Sequence, residues 1–256
     1  MNLENEIEIQ ELGTLLLEIG SLLMSNGAST ARVRITTDRI AGVFGYTADL
    51  FVTHRALTLS LTDNNNEKLF NSLKRTSPHG VNFRMVSGIS RMSWSIVEEK
   101  WSMEQIRLEL ERLQALPHFP RWIVLCFVSL AGASFCRLAG GSPLEMLITY
   151  IATFAGLFVR QETHKHKYNS YLCVFFGALT ASMVAGFFTQ FNFCEHIEHA
   201  FATSVLFLIP GIPLINTFTD LIDGNILNGM IRWVHGLIIS FMIALGLLIA
   251  IYIYQI

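Results

Sequence analysis

The chain has 256 residues, of which 52% are hydrophobic and 15% charged, with a formal net charge of −2. That near-neutral balance, with no basic run longer than Arg160-Gln161-Glu162-Thr163-His164-Lys165-His166-Lys167, leaves no electrostatic footprint for nucleic acid. The four cysteines (Cys126, Cys136, Cys173, Cys194) have no CxxC spacing and three lie in apolar runs, so they read as small buried apolar residues rather than as disulfide or metal ligands.

Charge is unevenly spread. Residues 1–120 carry it throughout, whereas long apolar runs follow Trp122, and Pro117-His118-Phe119-Pro120-Arg121 marks the change. The expectation is a soluble cytoplasmic α+β domain over 1–120, then an all-α membrane domain over 121–256. The acidic stretch Met1 to Glu11 has no positive n-region before an apolar core, so no cleavable signal peptide is expected.

Leu12, Leu15, Leu16, Ile19, Leu22 and Leu23 recur at helical spacing and predict an amphipathic helix over about Glu4 to Ser25. Asn26-Gly27 ends it, and Ser29 or Thr30 caps a second helix that runs to about Phe44. Strands are predicted over Asp49 to His54, Ala56 to Leu61, Leu69 to Arg75 and Val81 to Met85, with a turn at Asp63-Asn64-Asn65-Asn66. From about Ser87 to Leu116 the period is helical again, with Ser102-Met103-Glu104-Gln105 as a capping box. His54, Asp63 and His79 belong to no nucleophile elbow, phosphate loop or metal-ligand spacing, so the domain reads as structural or regulatory.

The membrane part divides into about five candidate spans, near Trp122–Leu138, Pro143–Val159, Tyr171–Phe191, Ala200–Ile215 and Ile231–Tyr254. Arg107, Arg112 and Arg121 precede the first, Arg160, Lys165 and Lys167 follow the second, and Arg232 follows the fourth. The loop Cys194-Glu195-His196-Ile197-Glu198-His199 has acids and no Lys or Arg, so it reads as a wet outer turn rather than a metal site. The positive-inside rule then puts the amino terminus in the cytoplasm and the carboxyl terminus outside. Arg137, beside Gly140-Gly141, either snorkels or presents a cation to an outer vestibule.

The fourth span is interrupted by Pro210-Gly211-Ile212-Pro213. Each proline lacks an N–H and clashes with the carbonyl four residues back, so Leu206 and Ile209 are expected to lose their helical partners near the bilayer midplane. Such a break either lines a transport cavity or is a packing kink. The restarted helix would aim its positive end at an anion. Asn216, Asp220, Gly224, Asn228 and Arg232 fall every four residues, a single stripe if helix persists. In the functional reading Asn216 and Thr217 bond substrate or freed carbonyls, and Asp220 carries a proton or gates; otherwise Asp220 is a surface carboxylate or the partner of Arg232.

Gly27-Ala28-Ser29-Thr30-Ala31-Arg32-Val33, Gly80-Val81-Asn82, Phe119-Pro120-Arg121-Trp122, Cys136 to Gly141, and above all Pro210 to Asn216 with Asp220, Gly224, Gly229 and Arg232 resemble the threonine/serine exporter (ThrE-type) family, nearest its YjjP-type subunits. The resemblance implies multi-pass export of small metabolites through the bacterial inner membrane. Single-chain members carry a second membrane bundle, which implies a separate YjjB-type membrane subunit here. The split form is associated with C4-dicarboxylates such as succinate, the fused form with threonine and serine. The expected substrate-binding set is Pro210, Gly211, Pro213, Asn216, Thr217, Asp220, Arg232 and Arg137, with no cofactor and no metal; self-association is left open. A membrane-tethered sensor regulating a partner channel is the reading from another class. An enzyme is disfavoured because no span pairs a nucleophile with a base.

Overall fold

Leucine and isoleucine at helical spacing wind Leu3–Ser25 into α1, and Gly27, at φ 93°, turns the chain out of it. Ser29 then caps α2 (Thr30–Val43), its hydroxyl accepting from the N–H of Arg32. Three antiparallel strands follow in spatial order β1 (Thr47–Val52), β2 (Ala56–Thr62), β3 (Lys68–Arg75). Alternation aims Ala48, Leu50 and Val52 inward opposite Leu61, Leu59 and Leu57. Each of those buried β2 leucines is worth roughly 1.5–3 kcal/mol of transfer free energy. α1 crosses the inner face, where Gly13 makes room for the Phe70 ring; a Cβ at Gly13 would lie 2.6 Å from it.

This is a computed structural model, and it describes residues 3–63, 68–76, 80–117, 119–188 and 198–255. Two units emerge: Met1–Pro117 with Ile212–Trp233, and His118–Gly211 with Val234–Ile256. The chain is mostly helical, with the small sheet near the amino terminus and several apolar helices after it. The predicted turn residues Asn64 to Asn66, the candidate His79, and Phe191 and Cys194 to Ile197 lie outside the described residues.

One prediction in the first unit needs correction. Val81 to Met85 is not a strand: Asn82 caps α3 (Phe83–Glu99), its side chain accepting from the Met85 N–H at 3.2 Å. Met85, Val86, Ile89, Met92 and Ile96 are the buried stripe of that helix, and five residues of apparent alternation could not distinguish it from a strand. The helical stretch to Leu116 is two helices, parted where Lys100 turns left-handed at φ 51° before α4 (Met103–Gln114), as a capping box at Ser102 requires. Ser102 and Gln105 form the expected capping box there.

The second unit is built from α5 (Arg121–Leu138), α6 (Pro143–Lys165), α7 (Ser170–Phe187), α8 (Glu198–Ser204), a 3-10 turn (Leu206–Leu208) and the later part of α10 (Ile226–Tyr254). Among the described residues, α5, α6, α7 and α10 are long and apolar enough to cross a membrane. α9 (Gly211–Ile222) lies between the 3-10 turn and α10; counted with the helical residues Glu198–Leu208 as one bent span, it would make a fifth. Phe127, Leu130, Leu147 and Phe241 are exposed, as side chains facing lipid must be. Inside, helices meet through small residues: a Cβ at Gly156 would lie 2.6 Å from the Gly177 carbonyl oxygen. Cys136 and Cys173 are buried, but Cys126 is exposed, which corrects the reading of it as buried.

Candidate functional site

Asn216, Asp220, Asn228 and Arg232 come together within the first unit, against the Gly27–Val33 segment. They do so without forming one helical stripe. α9 stops at Ile222, Gly224 is left-handed at φ 78°, and the Asn225 N–H closes the turn on the Asp220 carbonyl at 2.7 Å. Helix does not persist through that glycine, so the four-residue stripe does not form; a turn brings the same residues together instead.

The contacts are specific. Asp220 Oδ1 accepts from the backbone N–H of Thr30 at 3.0 Å, satisfying a first-turn donor of α2 that has no partner within its helix. A carboxylate at a helix N-terminus is favoured by the dipole as well. Asp220 Oδ2 lies 3.3 Å from Arg232 Nε, and the two side chains are 0% and 8% exposed, so the pair is shielded from water. Arg232 Nη2 donates to the Ala28 carbonyl at 3.0 Å. Asn216 Nδ2 donates to the Gly27 carbonyl at 2.9 Å. Asn228 Nδ2 donates to the Val52 carbonyl at 2.8 Å and to Thr30 Oγ1 at 3.3 Å. Asp220 is therefore paired with Arg232 and buried in protein rather than lying on a surface.

The remaining expected site residues fare differently. Thr217 is buried and its hydroxyl donates to the Pro213 carbonyl at 2.9 Å, one turn back. Arg137 is exposed and donates to the Gly141 carbonyl at 3.1 Å, fastening the turn between α5 and α6. Pro210 is buried, whereas Gly211 is half-buried with no atom within 4 Å of where a Cβ would stand.

The carbonyls expected to be orphaned near the prolines are met. Leu206 accepts from the N–H of Ile209 at 3.2 Å, and Ile209 accepts from that of Gly211 at 2.8 Å. Tight turns thus replace the lost helical bonds. Pro213 falls in the first turn of α9, where its missing N–H would have had no helical partner.

The second unit holds polar groups that sequence reasoning passed over. Glu145, Thr149 and Thr153 on α6 are 3%, 0% and 1% exposed. Glu145 closes a capping box with Ser142, and Thr149 contacts Thr203 Oγ1 at 3.3 Å. Thr153 donates to the Ser204 carbonyl at 3.1 Å, meeting a backbone group where α8 ends. The signal for them was a four-residue repeat of polar side chains inside an apolar run. Among the described residues, no three His, Cys, Asp or Glu side chains gather to hold a metal ion.

Several helices of bilayer-crossing length and apolar composition make this a multi-pass membrane protein. The chain belongs to the ThrE family of threonine/serine exporters, whose profile matches residues 14–254. It is 26% identical over 241 residues to the "Probable succinate transporter subunit YjjP" of Escherichia coli (strain K12), covering 92% of each chain. It is also similar to the "Probable threonine/serine exporter" of Mycobacterium tuberculosis, 22% identical over 96% of this chain and 47% of that one. The "Threonine/serine exporter" of Corynebacterium glutamicum is 23% identical over 94% of this chain and 50% of its own. No solved structure matches the chain.

Proposed function

We propose that the protein is one subunit of an inner-membrane exporter of small carboxylates, a C4-dicarboxylate such as succinate foremost, working with a separate small YjjB-type membrane subunit. One observation carries this reading: the chain aligns along 92% of a relative named as a transporter subunit, but along only about half of the single-chain exporters. In this reading a second polypeptide works with it, as the word "subunit" in the relative's name suggests. The soluble part, 1–120, faces the cytoplasm, and the membrane part, 121–256, has five spans with its carboxyl terminus in the periplasm. The fourth span is the one broken at Pro210-Gly211-Ile212-Pro213. In this reading the Asp220–Arg232 pair and Asn216 are a latch on the restarted segment, and the break itself, with Pro210, Gly211, Pro213 and Thr217, is the moving part. Arg137 stands at the outer mouth.

The test is efflux from vesicles holding the full chain and its partner subunit, with succinate and threonine compared. Succinate efflux that needs both subunits is the expected result; equal, undetectable efflux of both solutes removes the reading. Threonine efflux alone would favour the second reading, an amino-acid exporter subunit, which the family assignment supports. Pro210→Ala with Pro213→Ala should lower export several-fold at unchanged membrane abundance, because a continuous helix removes the hinge. Wild-type flux in that double variant would reduce the break to packing. A purely sensory role for the soluble part predicts that flux survives without it. Truncating 1–120 cannot test this cleanly, since it would strip Asp220 and Arg232 of Thr30 and Ala28.

A further inference from the structure

Of the arginines assigned to the membrane part, most are spoken for. Arg121 donates to Gln161 at 2.8 Å, pairs with Glu162 at 2.8 Å and lies over the Phe158 ring. Arg137 bonds the Gly141 carbonyl, and Arg232 pairs with Asp220. Arg160 differs from all of them. Among the described residues, no carboxylate lies within ion-pair distance of its guanidinium and no acceptor takes a hydrogen bond from it.

Its placement separates it from a cation that merely marks the cytoplasmic end of a span. His164, Lys165, His166 and Lys167 are exposed, as such markers are, but Arg160 is half-buried. Its stem turns toward α7: a Cβ at Gly177 would stand 3.1 Å from Arg160 Cβ and 3.6 Å from Leu208 Cδ2. The same glycine therefore makes room for Arg160 and for the 3-10 turn next to Pro210. Thr153 and Thr149 lie seven and eleven residues earlier on the same face of α6, so hydroxyls continue the line that the guanidinium begins. Glu145, fifteen residues away, is roughly 22 Å along the helix, too far to neutralise it.

An arginine without a partner, partly withdrawn from water in an apolar bundle, is costly unless something anionic visits it. Its planar fork matches a carboxylate in two parallel hydrogen bonds. We propose that Arg160 binds a carboxylate of the transported solute; this rests on the exporter reading above. Arg137 and Arg232, the cations that sequence alone favoured for that role, are already bonded to protein.

The test uses the full chain with its partner subunit in vesicles, comparing wild type, Arg160→Gln, Arg160→Lys and, as an exposed-cation control, Lys165→Gln. Two quantities are read: the KM for succinate efflux, and the rise in melting temperature that succinate gives the purified complex. The expectation is at least a tenfold higher KM and a lost thermal shift for Arg160→Gln, partial recovery of both for Arg160→Lys, and wild-type values for Lys165→Gln. Unchanged KM and thermal shift in Arg160→Gln overturn the assignment and leave the exporter intact; so does a fall in maximal rate with both values unchanged, the mark of a structural or orienting role. If Arg160→Gln does not reach the membrane, Arg160→Lys decides, since it keeps the charge and loses the fork: a wild-type KM overturns the proposal. A wild-type complex that neither moves nor is stabilised by succinate or threonine sinks the exporter reading, and this inference with it.

Discussion

Arg232→Met is expected to destabilise the first unit by ~3–5 kcal/mol, because it strands the carboxylate of Asp220 in a site with no exposure to water. Asp220→Leu should cost a similar amount, leaving the guanidinium buried and the Thr30 N–H without its acceptor. Combining the two removes both charges at once, so the double variant should recover much of the loss. Thermal unfolding of the purified complex reads all of these directly. If the single variants melt as the wild type does, the ion pair holds nothing. Export separates structure from function: a double variant that is stable yet fails to export shows that the polar latch, and not merely a filled cavity, is needed for transport.

Gly156→Leu should be nearly as damaging, for a reason with no electrostatics in it. α6 and α7 approach so closely that even the first carbon of a side chain at Gly156 would meet the Gly177 carbonyl oxygen at 2.6 Å and Ala181 Cβ at 2.7 Å. Backbone cannot step aside as a flexible side chain can, so the helices must part. Overpacking by a single group typically costs ~1–3 kcal/mol, and a branched side chain exceeds that. Separated helices would also lose the contact between Gly177 and the stem of Arg160. The expected outcome is little folded complex in the membrane and no measurable export. Gly42→Ala is the comparison: nothing lies within 4 Å of the new carbon, and the change should be neutral or stabilising by about 0.4–1 kcal/mol. Equal melting temperatures for the two variants would contradict the close approach of α6 and α7.

Short-range chemistry accounts for what was legible beforehand. Caps at Ser29 and Ser102 act over three residues, and the strands Thr47–Val52 and Ala56–Thr62 announce themselves by alternation. The family, too, was readable from its motifs. What escaped was long-range. Asp220 and Thr30 are 190 positions apart, and nothing in the apolar stretch around Asp220 says that its partner is the N-terminus of α2. The composition boundary at Pro117 to Arg121 assigns everything after it to the membrane part, whereas Ile212–Trp233 groups with Met1–Pro117 in one unit. Periodicity likewise could not foresee that Gly224 would adopt a left-handed turn and convert a helical stripe into a hairpin. Arg160 was visible as a charge that sets direction, but that it lacks a partner among the described residues is a property of the folded bundle alone.

The hydroxyls of the second unit bear on how it is made. Ser129 donates to the Leu125 carbonyl, Thr149 to Glu145, Thr180 to Phe176 and Ser182 to Ala178, each one turn back in its own helix. These hydroxyls can rest in lipid before the neighbouring helices have been synthesised, since each is satisfied within its own helix. Thr153 differs: its hydroxyl donates to the Ser204 carbonyl in a later segment, so that bond can close only after α8 has arrived. The tie between α6 and the residues just before Pro210 would therefore form only after α6 is already in place.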